Sequence, residues 1–367
     1  MLDYIRNCLD DLKSKNLYRS LKDRDEMAVD FSGNDYLGLL YNKESIEAGR
    51  KAAKIYGSGS SGSRLLSGNK AIFEEFESQI AADKNFESAL ILNSGFIANA
   101  STTQALSIPD GVLIFDKLNH ASMYFGIDPT RAKLVRYKHL NYDELEDILK
   151  KYVDCKNKII FSETVFGMDG DIADLRALSY LSQKYGALLF LDEAHATGLY
   201  GKNGLGLSTD FEFDPSKTLV MGTFSKALAS SGAYIACSRL LKDYLIQKSK
   251  GFIYSTALSP FCIGAAQYNW RLTKTLENER RRVLELAGVL REKISDLGYN
   301  TIGAETNIIP IIFEKMNDAL SVNQKLAERG IIASAIRPPT SPTPRIRLAV
   351  TAAHSESDLE RLLEALK

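Results

Sequence analysis

Six short runs of consecutive apolar residues, separated by helical patterns, constrain the fold of this chain more than any other feature. They lie at residues 89–92 (ALIL), 112–116 (VLIFD), 158–163 (KIIFSE), 188–192 (LLFLD), 219–223 (LVMGT) and 233–237 (AYIAC). Because these runs do not alternate with polar residues, they predict strands of a sheet that is covered on both faces. Strands that alternate with helices are typical of α/β proteins, so we expect a large α/β domain with a mostly parallel sheet over residues 45–240.

The pattern changes after about residue 240. A long helical stripe that includes Val283 and Leu297 is followed by strand-like runs at residues 308–313 and 345–350. A last helix is indicated by Ser355 and Asp358, which have the spacing of a capping box. These features predict a small C-terminal α+β domain over residues 241–367, and residues 1–44 are expected to form an N-terminal helix and arm.

Charge and cysteine content exclude several classes of function. The 367 residues include 46 Lys and Arg and 46 Asp and Glu, and this zero net charge argues against a nucleic-acid partner. The four cysteines form no CxxC pair, so we expect neither a disulfide framework nor a metal site. The same cysteine content is typical of a protein in a reducing compartment. The N-terminus lacks a signal-peptide pattern, and no segment has the ~20 apolar residues of a membrane span. We therefore expect a cytoplasmic protein with no membrane partner.

The segment LLFLDEAHATG places the carboxylate of Asp192 at the end of an apolar run, with His195 three residues later. Ligands bind beyond the carboxyl ends of strands in open α/β sheets, so both side chains are candidates for a site. The alternative is that Asp192 caps the following segment and that His195 packs beside it. A metal-binding pair is a weaker interpretation, because no further ligand-type residue stands at metal-ligand spacing.

Lys226 follows the apolar run LVMGT directly, in the segment TFSKA. Burial of an ammonium group without a partner is costly. Desolvation or a neighbouring positive charge lowers the pKa of a lysine and yields a nucleophilic amine that can form a Schiff base. The alternative is a lysine that extends its side chain to solvent.

A candidate phosphate site lies at NSGF, where Gly95 and Phe96 join an apolar run to a predicted helix. The free N–H groups and the dipole of such a helix start suit a phosphate, and Thr223 could add a hydroxyl donor. A phosphate site, a carboxylate for a ring nitrogen and an imine-forming lysine are together what pyridoxal 5'-phosphate (PLP) requires. His120 could stack on the ring of that cofactor.

Nine segments, in this order along the chain, resemble the α-oxoamine synthase family of fold-type I PLP enzymes. They are NDYLGL (34–39), GSRLLSG (62–68), NSGFIAN (93–99), DKLNHAS (116–122), ETVFGMDGD (163–171), DEAHATG (192–198), TFSKA (223–227), IYSTALSP (253–260) and AIRPPTSPTPRIRL (335–348). The resemblance covers the chain from about Asn34 to its C-terminus. It implies a fold-type I PLP transferase and an obligate homodimer with shared active sites.

The resemblance also implies a role in binding the cofactor for each matching residue. Lys226 is implied as the Schiff-base lysine, Asp192 as the partner of the pyridine nitrogen, and His195 as a hydrogen-bond partner of the phenolic oxygen. The further implied cofactor contacts are stacking by His120, phosphate binding by Gly95, Phe96 and Thr223, and binding of the neighbouring subunit's phosphate by Ser255 and Thr256.

For the substrate, the resemblance implies that Arg337 binds a carboxylate and that Thr340 lies in the same loop. Asn34 is implied to contribute from the other chain, and Arg19 resembles an arginine that binds the acyl substrate. His120 is implied to face the substrate as well as the cofactor.

Two segments favour the biotin-pathway branch of the family, namely SRLLSG at 63–68 and the C-terminal segment that begins with AIRPPTSPTPRIRL. That branch implies a PLP-dependent decarboxylative condensation of L-alanine with a pimeloyl thioester, carried on coenzyme A or on acyl carrier protein. A family member that uses glycine, serine or another acyl chain is an alternative, since one methyl group is worth only ~1–3 kcal/mol in a pocket. A non-catalytic PLP-binding regulatory protein is the alternative from a different class.

Gly167 departs from the family pattern, because members of the biotin-pathway branch often carry serine in the segment that reads VFGMDG here. The serine hydroxyl approaches a cofactor oxygen, so that contact is missing in this chain or is made by water. We expect a modest change in the electronics of the cofactor and no loss of activity.

Overall fold

The computed structural model describes residues 1–19, 21, 28–338 and 340–367, which form two compact units. The large unit comprises Asp35–Phe166 and Ile172–Arg280. The small unit comprises Met1–Asn34, Gly167–Asp171 and Arg281–Lys367, and it begins with helix α1 (Leu2–Ser14) and the short strand β1 (Val29–Asp30).

The large unit is built on a seven-stranded sheet with the strand order β2-β8-β7-β6-β5-β3-β4. Its strands are β2 (Ser88–Leu92), β3 (Gly111–Asp116), β4 (Ala132–Tyr137), β5 (Lys158–Glu163), β6 (Leu188–Asp192), β7 (Thr218–Thr223) and β8 (Ala233–Cys237). The two pairs that include β8 are antiparallel, and the other four pairs are parallel. Each of the six apolar runs is a strand, which confirms the predicted mostly parallel sheet. The sequence analysis missed β4, in which only the first and last residues are buried.

Helices cover both faces of this sheet. They are α2 (Lys43–Tyr56), α3 (Ala71–Lys84), α4 (Gly95–Leu106), α5 (Ala121–Phe125), α6 (Tyr142–Lys151), α7 (Leu175–Tyr185), α8 (Arg239–Lys248), α9 (Lys250–Ile253) and α10 (Pro260–Thr273), with 3₁₀ turns at Lys202–Gly204 and Leu207–Asp210. Successive residues of β3 belong to different apolar clusters, since Phe115 packs with one and Ile114 with another. This two-sided burial explains why the strands are continuously apolar.

The small unit packs helices against a three-stranded antiparallel sheet with the order β11-β12-β9. Its elements are β9 (Ile308–Ile312), α12 (Met316–Glu328), β10 (Ile331–Ile332), β11 (Ser334–Ile336), β12 (Arg345–Ala349), α13 (Glu356–Leu366) and most of α11 (Glu277–Asp296). Ser355 and Asp358 form the predicted capping box at the start of α13. The α+β character expected for the C-terminal region is confirmed.

The boundary between the units differs from the one expected near residue 240. Helix α10 packs against α2 and α3, and the buried indole of Trp270 donates to Asp83 across 2.7 Å, so α8–α10 belong to the large unit. The N-terminal residues up to Asn34 belong to the small unit, where β1 pairs with β10. Within the described ranges, every helix is too short or too polar to cross a membrane.

Candidate active site

Four strands of the large unit end at the same edge of its sheet. Strands β3, β6 and β7 are parallel, and β2 has the same direction because β8 lies antiparallel between β2 and β7. The residues that follow these strands include Gly95, His120, His195 and Lys226, and Asp192 is the last residue of β6. The fold thus brings the main predicted cofactor-binding residues to one edge, where open α/β sheets bind ligands.

The carboxylate of Asp192 is buried and is held by two donors. Oδ1 accepts from the Ala194 N–H across 2.8 Å, and Oδ2 accepts from Nδ2 of Asn99 across 2.7 Å. Asn99 lies in α4 and is itself buried. The sequence analysis quoted Asn99 within NSGFIAN but gave it no role, because nothing local indicated which group its amide would contact.

The turn that follows β6 is tightly constrained. Nδ1 of His195 lies 2.7 Å from the hydroxyl of Tyr36, a fully buried residue that the sequence analysis did not select. Gly198 has a φ of +96°, and a Cβ at this position would lie 2.4 Å from the Cβ of Ala227. Only glycine can adopt this positive φ and also lie this close to Ala227, the residue next to Lys226.

A buried ion pair also constrains the turn that follows β6. Glu193 pairs with Lys84 of α3, and both side chains are fully buried. Lys84 also donates to the Leu205 carbonyl and to Oγ of Ser208, each across 2.8 Å. The pair therefore connects the residue after Asp192 to α3 and to the segment around Ser208.

The backbone around Lys226 forms a compact turn between β7 and β8. The Ala229 N–H donates to the Lys226 carbonyl, and the Ser230 N–H donates to the Phe224 carbonyl, each across 2.8 Å. The Lys226 side chain is half-buried. This turn holds the lysine at the mouth of a buried strand, as the sequence predicted.

The start of α4 offers backbone donors to an anion. Ser94 caps the helix by accepting from the Ile97 N–H, and Gly95 and Phe96 are its first two residues. Their N–H groups have no intrahelical acceptor, as at any helix start. A Cβ on Gly95 would lie 3.6 Å from the Thr223 side chain, so the Thr223 hydroxyl lies next to these donors. The arrangement suits a phosphate.

His120 occupies the N-cap position of α5. Its Nδ1 lies 2.6 Å from Oγ of Ser122 and 3.3 Å from the Ser122 nitrogen. Burial lowers the pKa of His120, the Asp192 carboxylate raises it, and the Lys226 ammonium lowers it further. Hydrogen bonds also connect His120 to Asp192, because Nδ2 of Asn99 donates both to Oγ of Ser122 and to the Asp192 carboxylate.

Ser255 and Thr256 follow α9 in the large unit. Ser255 is half-buried and Thr256 is exposed, and the Thr256 carbonyl accepts from Nδ2 of Asn93 across 2.7 Å. This bond attaches the segment to the loop that precedes α4. The predicted contact of both residues with a neighbouring subunit stays a prediction.

The small unit holds the remaining predicted residues. Arg347 donates to the Gly167 carbonyl across 2.6 Å and to Oδ1 of Asn34 across 3.0 Å. The sequence analysis gave no role to Arg347, although it is the last arginine of the segment AIRPPTSPTPRIRL.

Arg337, Thr340 and Arg19 lie close together. Arg337 donates to the Tyr18 carbonyl across 2.6 Å, and Nη2 of Arg19 lies 3.4 Å from Oγ1 of Thr340. Nε of Arg337 is buried and has no hydrogen-bond acceptor among the described residues. Residues that the sequence analysis selected separately for substrate binding thus form one cluster within the small unit.

PLP fits the donor set of the large unit. The cofactor carries a phosphate, a basic ring nitrogen and an aldehyde. The edge of the sheet offers a helix start beside a hydroxyl, a buried carboxylate fixed by two donors, and a lysine amine. Each of these protein groups is the type that binds the corresponding part of PLP.

Comparisons with known proteins agree with this assignment. The family model described as "Aminotransferase class I and II" matches residues 26–366. A putative 8-amino-7-oxononanoate synthase from Paramagnetospirillum magneticum is 43% identical over 346 residues, which cover 92% of this chain and 87% of that protein.

Two solved structures resemble the chain throughout. A serine palmitoyltransferase from S. paucimobilis, solved with a bound adduct of PLP and myriocin, has a TM-score of 0.90 and 24% identity, covering 99% of this chain and 96% of that one. At 24% identity, this similarity shows a shared fold and nothing more. An 8-amino-7-oxononanoate synthase from Francisella tularensis has a TM-score of 0.81 and 27% identity, covering 93% of this chain and 97% of that one.

Proposed function

Since the chain belongs to the class I and II aminotransferase family, and within it to the 8-amino-7-oxononanoate synthases, we propose that it condenses L-alanine with a pimeloyl thioester. The alanine Cα forms a bond to the thioester carbonyl carbon, the thiol leaves, and the alanine carboxyl group is lost as carbon dioxide. A proton returns to Cα, which gives 8-amino-7-oxononanoate. The proposal is supported above all by the position of Lys226, Asp192 and His120, which end or follow parallel strands at one edge of the sheet.

The ring of PLP is proposed to be held by four residues of the large unit. Lys226 binds the aldehyde carbon through Nζ, Asp192 accepts a hydrogen bond from the protonated pyridine nitrogen, and His195 contacts the phenolic oxygen. His120 lies against the ring. The two donors on the Asp192 carboxylate orient it without neutralising it, so it can still accept the pyridinium hydrogen.

The phosphate is proposed to lie at the start of α4. The N–H groups of Gly95 and Phe96 and the hydroxyl of Thr223 donate to it, and Ser255 and Thr256 add donors to the phosphate of the neighbouring subunit. This position uses the positive end of the helix dipole.

PLP, when bound, supplies an electron-withdrawing ring that stabilises the negative charge left at the amino-acid Cα. The alanine amino group would replace Nζ of Lys226 on the aldehyde carbon and so release it as a free amine. Nζ then acts as the general base that removes the Cα proton, and it returns a proton after carbon dioxide is lost. The turn that holds Lys226 keeps the amine at the strand end through both transfers.

The substrate is proposed to be anchored by residues of the small unit. Arg337 binds a carboxylate through its planar guanidinium, and Thr340 lies in the same loop. Arg19 binds the acyl substrate, and Asn34 contributes to the neighbouring subunit's site.

The test is thiol release from pimeloyl-coenzyme A by PLP-loaded protein with L-alanine, glycine or L-serine. We expect release with alanine well above the other two, and Lys226→Ala should abolish it while circular dichroism stays unchanged. Faster release with glycine or serine would replace the named product and keep the reaction class. If no donor on coenzyme A or acyl carrier protein reacts, or if Lys226→Ala turns over normally, the proposal is wrong.

A homodimer with shared active sites is part of the proposal. Lys226→Ala and a Ser255→Ala/Thr256→Ala double variant would each damage a different part of a shared site. Mixed after partial unfolding and refolding, they should regain activity if one subunit supplies the lysine and its partner the phosphate donors. A monomer by light scattering, or mixtures without regained activity, would exclude shared sites. We also propose a cytoplasmic location, which cell fractionation would test.

A further inference from the structure

We propose that Ser122, oriented by Asn99, is a positioning residue that fixes the His120 imidazole as the neutral tautomer with its proton on Nε2. The tautomer follows from contacts inside the large unit alone. Its consequence for catalysis rests on the proposed function.

The backbone of α5 determines which ring nitrogen can carry the proton. His120 caps this helix, and its Nδ1 accepts from the Ser122 N–H across 3.3 Å. A backbone N–H can only donate, so Nδ1 has to present its lone pair at this position. The neutral ring then carries its hydrogen on Nε2.

The Ser122 hydroxyl adds a second donor to the same nitrogen. Nδ2 of Asn99 lies 2.7 Å from Oδ2 of Asp192 and 2.9 Å from Oγ of Ser122. An ionised carboxylate only accepts, so the Asn99 amide must direct its NH₂ group to both oxygens. Since Oγ of Ser122 accepts from Asn99, its own hydrogen is available for Nδ1 of His120, 2.6 Å away.

Burial makes this arrangement selective. Ser122 has no exposed surface and Asn99 is 2% exposed, so bulk water does not compete for their donors. A proton on Nδ1 would face the Ser122 N–H and break that hydrogen bond, and it would force the Ser122 hydroxyl to turn its hydrogen away from the ring. The contacts therefore disfavour the imidazolium form, in addition to the effect of burial.

The charges that face His120 come from two other segments. The Asp192 carboxylate at the end of β6 favours protonation, and the Lys226 ammonium after β7 disfavours it. Because Asn99 binds Asp192 and Ser122 through one NH₂ group, the tautomer of His120 is connected to the residue proposed to hold the pyridine nitrogen. If the proposed function is right, the ring offers one polar hydrogen, on Nε2, to the substrate side.

The experiment is nitrogen-15 NMR of histidine side chains in the full chain, with and without added PLP. The protein has four histidines, and His120→Asn identifies the relevant signals. We expect His120 to show an unprotonated Nδ1 and a protonated Nε2 in both samples. A ring protonated on Nδ1, or a charged ring at pH 7, would overturn the proposal without any further variant.

Ser122→Ala removes only the hydroxyl and tests its contribution. Loss of one hydrogen bond to the neutral ring should raise the proton affinity of His120 about 3- to 10-fold. Ser122→Thr, which keeps a hydroxyl, should restore the parent titration. His139, which contacts Asp116 elsewhere in the large unit, serves as an internal control whose titration should not change.

A purely structural role for Ser122 would leave the His120 titration unchanged in Ser122→Ala, and that result would refute the proposal. The NMR measurement needs no turnover, so it separates this inference from the proposed function. If thiol release fails while the tautomer is confirmed, only the proposed function is wrong.

Discussion

Replacement of Lys84 by methionine gives the largest stability effect that we derive from the structure. Nζ of Lys84 donates to the Glu193 carboxylate, to the Leu205 carbonyl and to Oγ of Ser208. Methionine fills a similar volume but has no donor. Among the described residues, the Glu193 carboxylate would then keep the N–H and the hydroxyl of Ser208, at 2.6 and 3.0 Å. Removal of one partner from a buried ion pair costs about 3–5 kcal/mol.

This cost translates into a measurable change in melting temperature. At roughly 2 °C per kcal/mol for a unit of this size, Lys84→Met should melt about 6–10 °C below the parent protein. Circular dichroism on heating and a urea titration would measure the effect. The double variant Lys84→Met/Glu193→Gln should recover more than half of the loss, because it leaves no uncompensated buried charge.

Lys150→Met is the matched control, since Lys150 forms exposed ion pairs with Glu146 and Asp147 on the surface of α6. Exposed ion pairs contribute little to stability, so this variant should have the same melting temperature as the parent protein. If Lys84→Met melts at the same temperature as Lys150→Met, the buried pair does not stabilise the large unit. A double variant no more stable than Lys84→Met would show that the unpaired charge is not the cause.

Three further changes give distinct outcomes. Gly198→Ala would place a methyl group 2.4 Å from the Cβ of Ala227 at a φ of +96°, so we expect PLP to be lost on dialysis, and full retention would contradict this expectation. Gly167→Ser should change the absorption spectrum of bound PLP and its pH dependence, and identical spectra would show that the missing hydroxyl has no effect. Burial lowers the pKa of His354, so the unfolded chain protonates first, and this contribution to stability is complete above about pH 6.5 and lost below it. His354→Gln should therefore lose less stability than the parent between pH 7 and pH 5, and equal slopes in urea titrations would refute the argument.

The sequence predicts the candidate site residues that lie directly at strand ends. Asp192, Lys226 and His120 were selected because each ends or follows a run of apolar residues, and such runs are recognisable without a structure. The spacing of Ser355 and Asp358 predicted the capping box of α13. Strand β4 was missed because a partly buried edge strand lacks the continuous apolar pattern.

Residues that act through long-range contacts were not predictable. Asn99 is 93 positions from Asp192, and Lys84 is 109 positions from Glu193. A polar residue on a helix does not indicate from its neighbours whether it faces solvent or a buried carboxylate. Tyr36 was missed for the same reason. Ser122 lies only two residues from His120, but nothing in the sequence indicated that its hydroxyl contacts that ring. Both lie inside segments that carried the family resemblance.

The antiparallel strand β8 sets the order in which a growing chain can assemble this site. Strand β2 is at the edge of the sheet, and its neighbour there is β8, with Leu92 opposite Ala233 and Ser88 opposite Cys237. During synthesis, β2 therefore has to wait for residues through Cys237 before it can join the sheet. The start of α4 follows β2 directly. The backbone donors of the proposed phosphate site are therefore synthesised early, but they come next to Thr223 only after β8 has been made.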